Sequence, residues 1–161
     1  MGQGGGSHAG RGRPVRLAMA GLQVGGQLPG DLRVYDETGK EIRLGKILQG
    51  KHTVLVNGCL TCPIFLRTFA GVEAVERDYG PKGVQLFYLY KSLAHPENTG
   101  YVQPFTLEER LKHVHEAKAW MRTEIPWLCD NMDNGVLAAL GGMPNSEVFI
   151  GPDRKILYLA D

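Results

Sequence analysis

Cys59 and Cys62 stand two residues apart in the stretch Gly58-Cys59-Leu60-Thr61-Cys62-Pro63. Two intervening residues let the sulfurs close a disulfide within one turn of chain, so an attacking and a resolving thiol come as a pair. The run before them, Thr53–Asn57, is nearly all apolar and predicts a strand buried on both faces. After them the period changes. Phe65, Phe69, Val72 and Tyr79 recur at helical spacing, with Glu73, Glu76 and Arg77 on the wet side. Pro63 suits a first helical position, where a missing N–H costs nothing. A cysteine pair between strand and helix lies at the positive end of the helix dipole, where a thiolate is favoured. The expectation is one sulfur that is anionic and reachable at neutral pH, able to attack disulfides, peroxides or soft electrophiles.

Other readings of the pair are a structural disulfide or two inert core thiols. Zinc needs four ligands, normally a second C-x-x-C or a spaced histidine pair. Cys129 is alone, and His113 and His115, two apart on a helix, face different directions. Cys129 ends the short apolar run Pro126–Cys129 and reads as a buried core thiol. Met143-Pro144 follows two glycines and precedes a strand, a place where a cis peptide can form a tight loop. Such a loop would offer its backbone to an extended thiol substrate beside the sulfurs; an ordinary trans proline is the alternative. His95 lies in a loop after the second central strand, at the carboxyl edge where α/β sites gather. Trp120 and Trp127 read as core or loop-packing aromatics. Asp130, Asp133 and Asn134 could cap a short helix.

The elements that must position these residues follow from the pattern. The chain has 161 residues, 43% hydrophobic and 22% charged, which suits one domain with one core. Residues 1–21 are set apart as a Gly/Arg-rich segment too poor in apolar surface to order itself, and 22–161 as the folded domain. Asp31–Tyr35 and Glu41–Leu44 flank the turn residues Asp36-Glu37-Thr38-Gly39 and predict a hairpin. The helix from Pro63 is expected to stop at Gly80-Pro81, and Val84–Tyr90 is a second buried strand. Thr106 and Glu109 form a capping box for a helix burying Leu107, Leu111, Val114, the Lys118 stem and Met121. A short helix is expected over 133–140, then strands at Glu147–Ile150 and Lys155–Leu159 around the turn Gly151-Pro152-Asp153. The fold class is α/β: a mixed sheet flanked by helices, with an N-terminal β-hairpin. The chain ends straight after a strand, so a truncated C-terminal helix is expected. A net charge of +1 excludes a bulk electrostatic grip on nucleic acid, and no apolar run is long enough for a transmembrane span.

Strand, C-x-x-C, helix and a proline before a closing hairpin together resemble the thioredoxin fold. The leading hairpin resembles the redoxin branch of that fold. A closer resemblance is to the iodothyronine deiodinase family. Its motif of glycine, two residues, threonine, selenocysteine, proline, one residue and phenylalanine is similar to Gly58, Thr61, Cys62, Pro63 and Phe65, with Cys62 at the selenocysteine position. Leu93-Ala94-His95-Pro96, Leu107-Glu108-Glu109-Arg110-Leu111, and Asp130, Met132 and Asn134 match later stretches of that family. Cysteine stands in for selenocysteine, Leu93 for an acidic residue, and Cys59 adds a second thiol.

The resemblance implies a thiol–disulfide oxidoreductase with Cys59 and Cys62 as the redox couple and His95 moving protons. Thr61, Met143 and Pro144 are then the substrate-contacting residues. Thioredoxin-like chemistry would make Cys59 the attacking sulfur; deiodinase-like or peroxiredoxin-like chemistry would make it Cys62. Reductive dehalogenation, a peroxiredoxin-like peroxidase and a non-enzymatic module with inert cysteines are the other expectations. No bound cofactor is implied. Electrons would come from an external thiol or reductase, the substrate would be a disulfide, peroxide or halogenated aromatic, and a homodimer is compatible. Localisation stays open between the cytoplasm and export with any signal peptide absent from this chain.

Overall fold

The computed structural model describes residues 22–94, 96, 100–141 and 146–160. The segment 1–21 lies outside them. The chain forms β1 (Arg33–Tyr35), β2 (Glu41–Arg43), α1 (Leu44–Leu48), β3 (Thr53–Asn57), α2 (Pro63–Tyr79), β4 (Gln85–Tyr90), α3 (Leu107–Met121), β5 (Trp127–Asp130), α4 (Gly135–Leu140), β6 (Glu147–Ile150) and β7 (Ile156–Ala160). Seven strands make one mixed sheet in the order β2-β1-β5-β4-β3-β6-β7. The pairs β3–β4 and β4–β5 are parallel, and each is linked by a helix on the same face; every other pair is antiparallel. This is the expected α/β mixed sheet with a leading hairpin and a closing one.

Apolar residues divide between the two faces. Val56, Phe65, Val72, Tyr88, Tyr90, Val114, Met121 and Trp127 pack together with all three cysteines under α2 and α3. Leu44, Leu48, Leu55, Leu89, Leu128, Val136 and Leu140 pack on the other face with α1 and α4. Tyr88, Phe65 and Trp127 meet edge-on or tilted at ring separations of 5.1 to 6.0 Å, the geometry that the ring quadrupoles favour.

Several local expectations are corrected. Leu44 does not end a strand; it opens α1, a helix of five residues that the apolar alternation of EIRL masked. α2 itself stops at Gly80-Pro81 as expected, with Gly80 as its C-cap, and a separate 3-10 turn over Gly80–Lys82 ends at Gly83 with φ 94°. On α3 the buried positions are Arg110, Val114, Ala117 and Met121, while Leu107 and Leu111 are half-buried. The capping box forms one residue off: Thr106 Oγ1 accepts from Glu109 N–H at 3.2 Å, but Glu109 Oε2 accepts from Phe105 N–H at 2.6 Å. Trp120 is exposed, resting edge-on against Phe69 at 5.7 Å, whereas Trp127 is fully buried.

Candidate active site

The site is built where β3 hands over to α2. Gly58 continues the parallel ladder by donating its N–H to Leu89 O at 3.1 Å. The chain then turns, with Cys62 N–H reaching back to Cys59 O at 3.5 Å, and Cys62 becomes the N-cap of α2 in extended conformation. Pro63 occupies the first turn as expected, no acidic residue lies there, and no side chain caps the helix. Cys62 thus stands as the N-cap residue at the positive end of a 17-residue helix that no acidic side chain of its first turn compensates.

Cys59 Sγ has two polar neighbours. Ala94 N–H donates to it at 3.4 Å, and Thr61 Oγ1 lies 3.4 Å away. The loop after β4 therefore reaches Cys59 through a backbone amide. Thr61, expected to touch substrate, is instead 2% exposed and turned inward to the sulfur. Cys59, Cys62 and Cys129 are all free thiols. The expectation of a reachable sulfur is not met in this arrangement: Cys59 is 1% and Cys62 3% exposed, both in the α2–α3 core. Cys129 is the buried core thiol the sequence suggests, pushed up to about 12 by burial. His95, Met143 and Pro144 lie outside the described residues.

Three supporting residues carried no structural role in the sequence reading, where Arg110 stood only within the Leu107–Leu111 match. Asn57, the last residue of β3, is fully buried and donates its Nδ2 to Ser146 O at 3.0 Å, with Ser146 Oγ a second partner. It anchors the residue that precedes β6 beside the cysteine loop. Lys91, directly after β4, is buried and donates Nζ to Gly141 O at 2.6 Å. Arg110 is the third: its Nη1 donates to Asp130 O and Asn131 O at 3.0 and 2.8 Å, and Nη2 to Asn134 Oδ1 at 2.6 Å. Asp130 in turn caps α4, its carboxylate accepting the Val136 and Leu137 N–H groups at 2.9 and 2.8 Å. Asp130 is thus a cap, as expected, although from the preceding strand. The sequence signal was present in each case: a polar residue closing an apolar strand, and an arginine on a half-apolar helix.

Burial pulls the Lys91 ammonium down to about 8 from its ordinary 10.5, against the pull of Asp130. Burial also raises the Asp130 carboxyl, against the amides that hold it. A lysine whose native value is lowered is deprotonated first in the native state. Between about pH 8 and 10.5 the unfolded chain holds more protons, so this residue's contribution to stability rises with pH. The difference in unfolding free energy, wild type minus Lys91→Met, should rise by on the order of 2–3 kcal/mol across that window. Urea unfolding of both proteins at stepped pH measures it; a difference flat with pH would refute the buried ammonium.

The sheet order, the strand–loop–helix placement of the pair and the closing hairpin define a thioredoxin-like fold. Solved structures share it. The chain superimposes on an uncharacterized conserved protein from Geobacillus kaustophilus with TM-score 0.67 at 18% identity, covering 86% of this chain and 69% of that one. The thioredoxin domain of a thiol-disulfide oxidoreductase from Bacteroides vulgatus gives TM-score 0.66 at 12% identity, covering 87% and 89%. A peroxidoxin from Mycobacterium tuberculosis gives TM-score 0.63 at 16% identity, covering 87% and 86%. No protein-family model and no curated protein matches the sequence.

Proposed function

We propose that this protein is a thiol–disulfide oxidoreductase in which Cys59 and Cys62 form the redox couple. The observation that carries this reading is the pair of polar groups on Cys59 Sγ, Ala94 N–H and Thr61 Oγ1, one turn ahead of a 17-residue helix capped by Cys62. Negative charge on Cys59 Sγ is met there by donors held on two different loops. Attack by that thiolate on a substrate disulfide forms a mixed disulfide and expels one substrate thiolate, which takes up a proton. Cys62 then attacks Cys59 Sγ, an intramolecular disulfide forms, and the second substrate thiol leaves. Two electrons pass from the dithiol to the substrate, and an external thiol or reductase restores the dithiol. Both sulfurs are buried, so substrate reaches them only on a local opening of the site.

A second reading is supported by the position of Cys62. It is the N-cap sulfur, and it stands where the deiodinase family has selenocysteine. In that reading Cys62 attacks and Cys59 resolves, on a halogenated aromatic or a peroxide. One experiment separates the two. Cys59→Ser and Cys62→Ser are each incubated with a disulfide-bonded model peptide, and the adducts are mapped by mass spectrometry. A stable mixed disulfide on Cys59 in Cys62→Ser, with none in Cys59→Ser, is expected. A trap in Cys59→Ser alone assigns attack to Cys62. No adduct in either variant, with no disulfide or peroxide reduced by the wild type, overturns the oxidoreductase reading.

A further inference from the structure

The end of the sheet away from the cysteines carries a cleft with a different chemistry. Ile150, at the end of β6, pairs with Thr53 at the start of β3, and the cysteine loop follows the other end of that strand. The turn after Ile150 therefore lies at the opposite pole. There, Gly30, Arg43, Gly45, Lys46, Asp153 and Arg154 help line a cleft of about 500 Å³.

Three cations face one carboxylate in this cleft. Among the described residues no salt bridge involves Arg43, Lys46 or Arg154. Arg43 lies opposite Arg33 in the β1–β2 register, and Glu41 pairs with Arg33 instead. Asp153, the carboxylate, accepts from Lys155 N–H at 3.0 Å within its own turn. Three like charges against one carboxylate leave a net positive charge in the cleft, and an anion entering between them relieves the repulsion.

The floor of the cleft is bare backbone. A Cβ on Gly30 would fall 1.7 Å from Arg154 Nη1, and one on Gly45 would fall 2.5 Å from Gly30 O. Gly30 thus leaves room for the Arg154 guanidinium beside it, and Gly45 lets the two stretches of backbone approach each other. Its Nε is shut off from solvent and has no hydrogen-bond partner. Arg154 also holds φ 69° at the close of the hairpin turn, where Gly151 N–H bonds Lys155 O and Arg154 N–H bonds Gly151 O, both at 2.9 Å. Glycine or asparagine is favoured at such a position. An arginine there presents a planar fork of donors, which matches the oxygens of a phosphoryl group.

We propose that this cleft binds the phosphoryl group of a small molecule, with Arg154, Arg43 and Lys46 supplying the positive charge that holds it. The assignment is independent of the thiol chemistry. The test is titration of the isotope-labelled protein with inorganic phosphate and with pyrophosphate, read from the backbone amides of Gly45, Lys46 and Arg154. Saturable shifts that weaken with added salt are expected. Arg154→Gly should weaken binding about tenfold or more, the scale of one lost charge-assisted hydrogen bond. Glycine accepts the positive φ of this turn, so the variant should melt no lower than wild type, which separates lost binding from lost folding. Lys46→Gln should weaken binding by a smaller factor. Vesicles carrying phosphatidic acid form a second arm: binding that depends on Arg154 only there places the phosphoryl group on a lipid rather than a free molecule and overturns the small-molecule assignment. Shifts that fail to saturate at millimolar phosphate and pyrophosphate, or that persist unchanged in Arg154→Gly, also overturn the proposal.

Discussion

Cys59→Ser is expected to abolish disulfide reduction, with a loss of at least about 10³-fold, the scale on which removing a covalent nucleophile acts. The reason is local. Oxygen replaces the one sulfur that Ala94 N–H and Thr61 Oγ1 approach from separate loops. A serine hydroxyl keeps the hydrogen bonds but lacks the nucleophilicity of a thiolate and forms no mixed disulfide. Cys62→Ser should behave differently: it performs one attack and stops, giving a single-turnover burst without steady-state turnover. Reduction of insulin disulfides with dithiothreitol as electron donor reads both, alongside a quenched burst measurement. Full steady-state activity in Cys59→Ser would remove this cysteine from the mechanism.

The second large effect needs no catalysis. Gly58→Ala is expected to destabilise the fold by about 1–3 kcal/mol, the usual cost of forcing a methyl group into a close-packed core. The added Cβ would fall 2.3, 2.4 and 2.7 Å from Cε2, Cζ and Cδ2 of Phe65. The Phe65 ring cannot retreat easily, because it is buried edge-on against Tyr88 and Trp127 at 5.6 and 6.0 Å. Any displacement is passed to the first turn of α2, and so to Cys62 at its cap. The double variant Gly58→Ala/Phe65→Leu should be less destabilised than the sum of its parts, since the smaller side chain vacates the space. A denaturant-unfolding cycle measures that coupling. Additive effects, or a Gly58→Ala cost below about 0.5 kcal/mol, would mean that this contact does not constrain the loop.

These two variants also explain the spacing of the cysteine stretch. Gly58 and Phe65 are seven residues apart because the ring of the helix's first turn lies on the glycine that ends the strand. Two other distant stretches prove to be one unit: Arg110 on α3 holds the Asp130 and Asn131 carbonyls and the Asn134 side chain. Leu93-Ala94 is joined to the cysteine loop through the Ala94 amide.

The sequence by itself determined the alternation of strands and helices, the handover from β3 to α2 at Pro63 and the burial of Cys129. Each follows from local periodicity or from the backbone limits of proline and glycine. It misjudged α1, because five residues carry too little pattern to separate a helical turn from a strand end. It gave no partner to Asn57, Lys91 or Arg110, because those partners lie 89, 50 and 20 or more residues away. Only the tertiary structure decided that Thr61 turns inward, that a backbone amide from the loop after β4 reaches Cys59, and that both sulfurs are covered. A backbone N–H leaves no mark in the amino-acid sequence, and side-chain burial depends on which segments the sheet brings alongside.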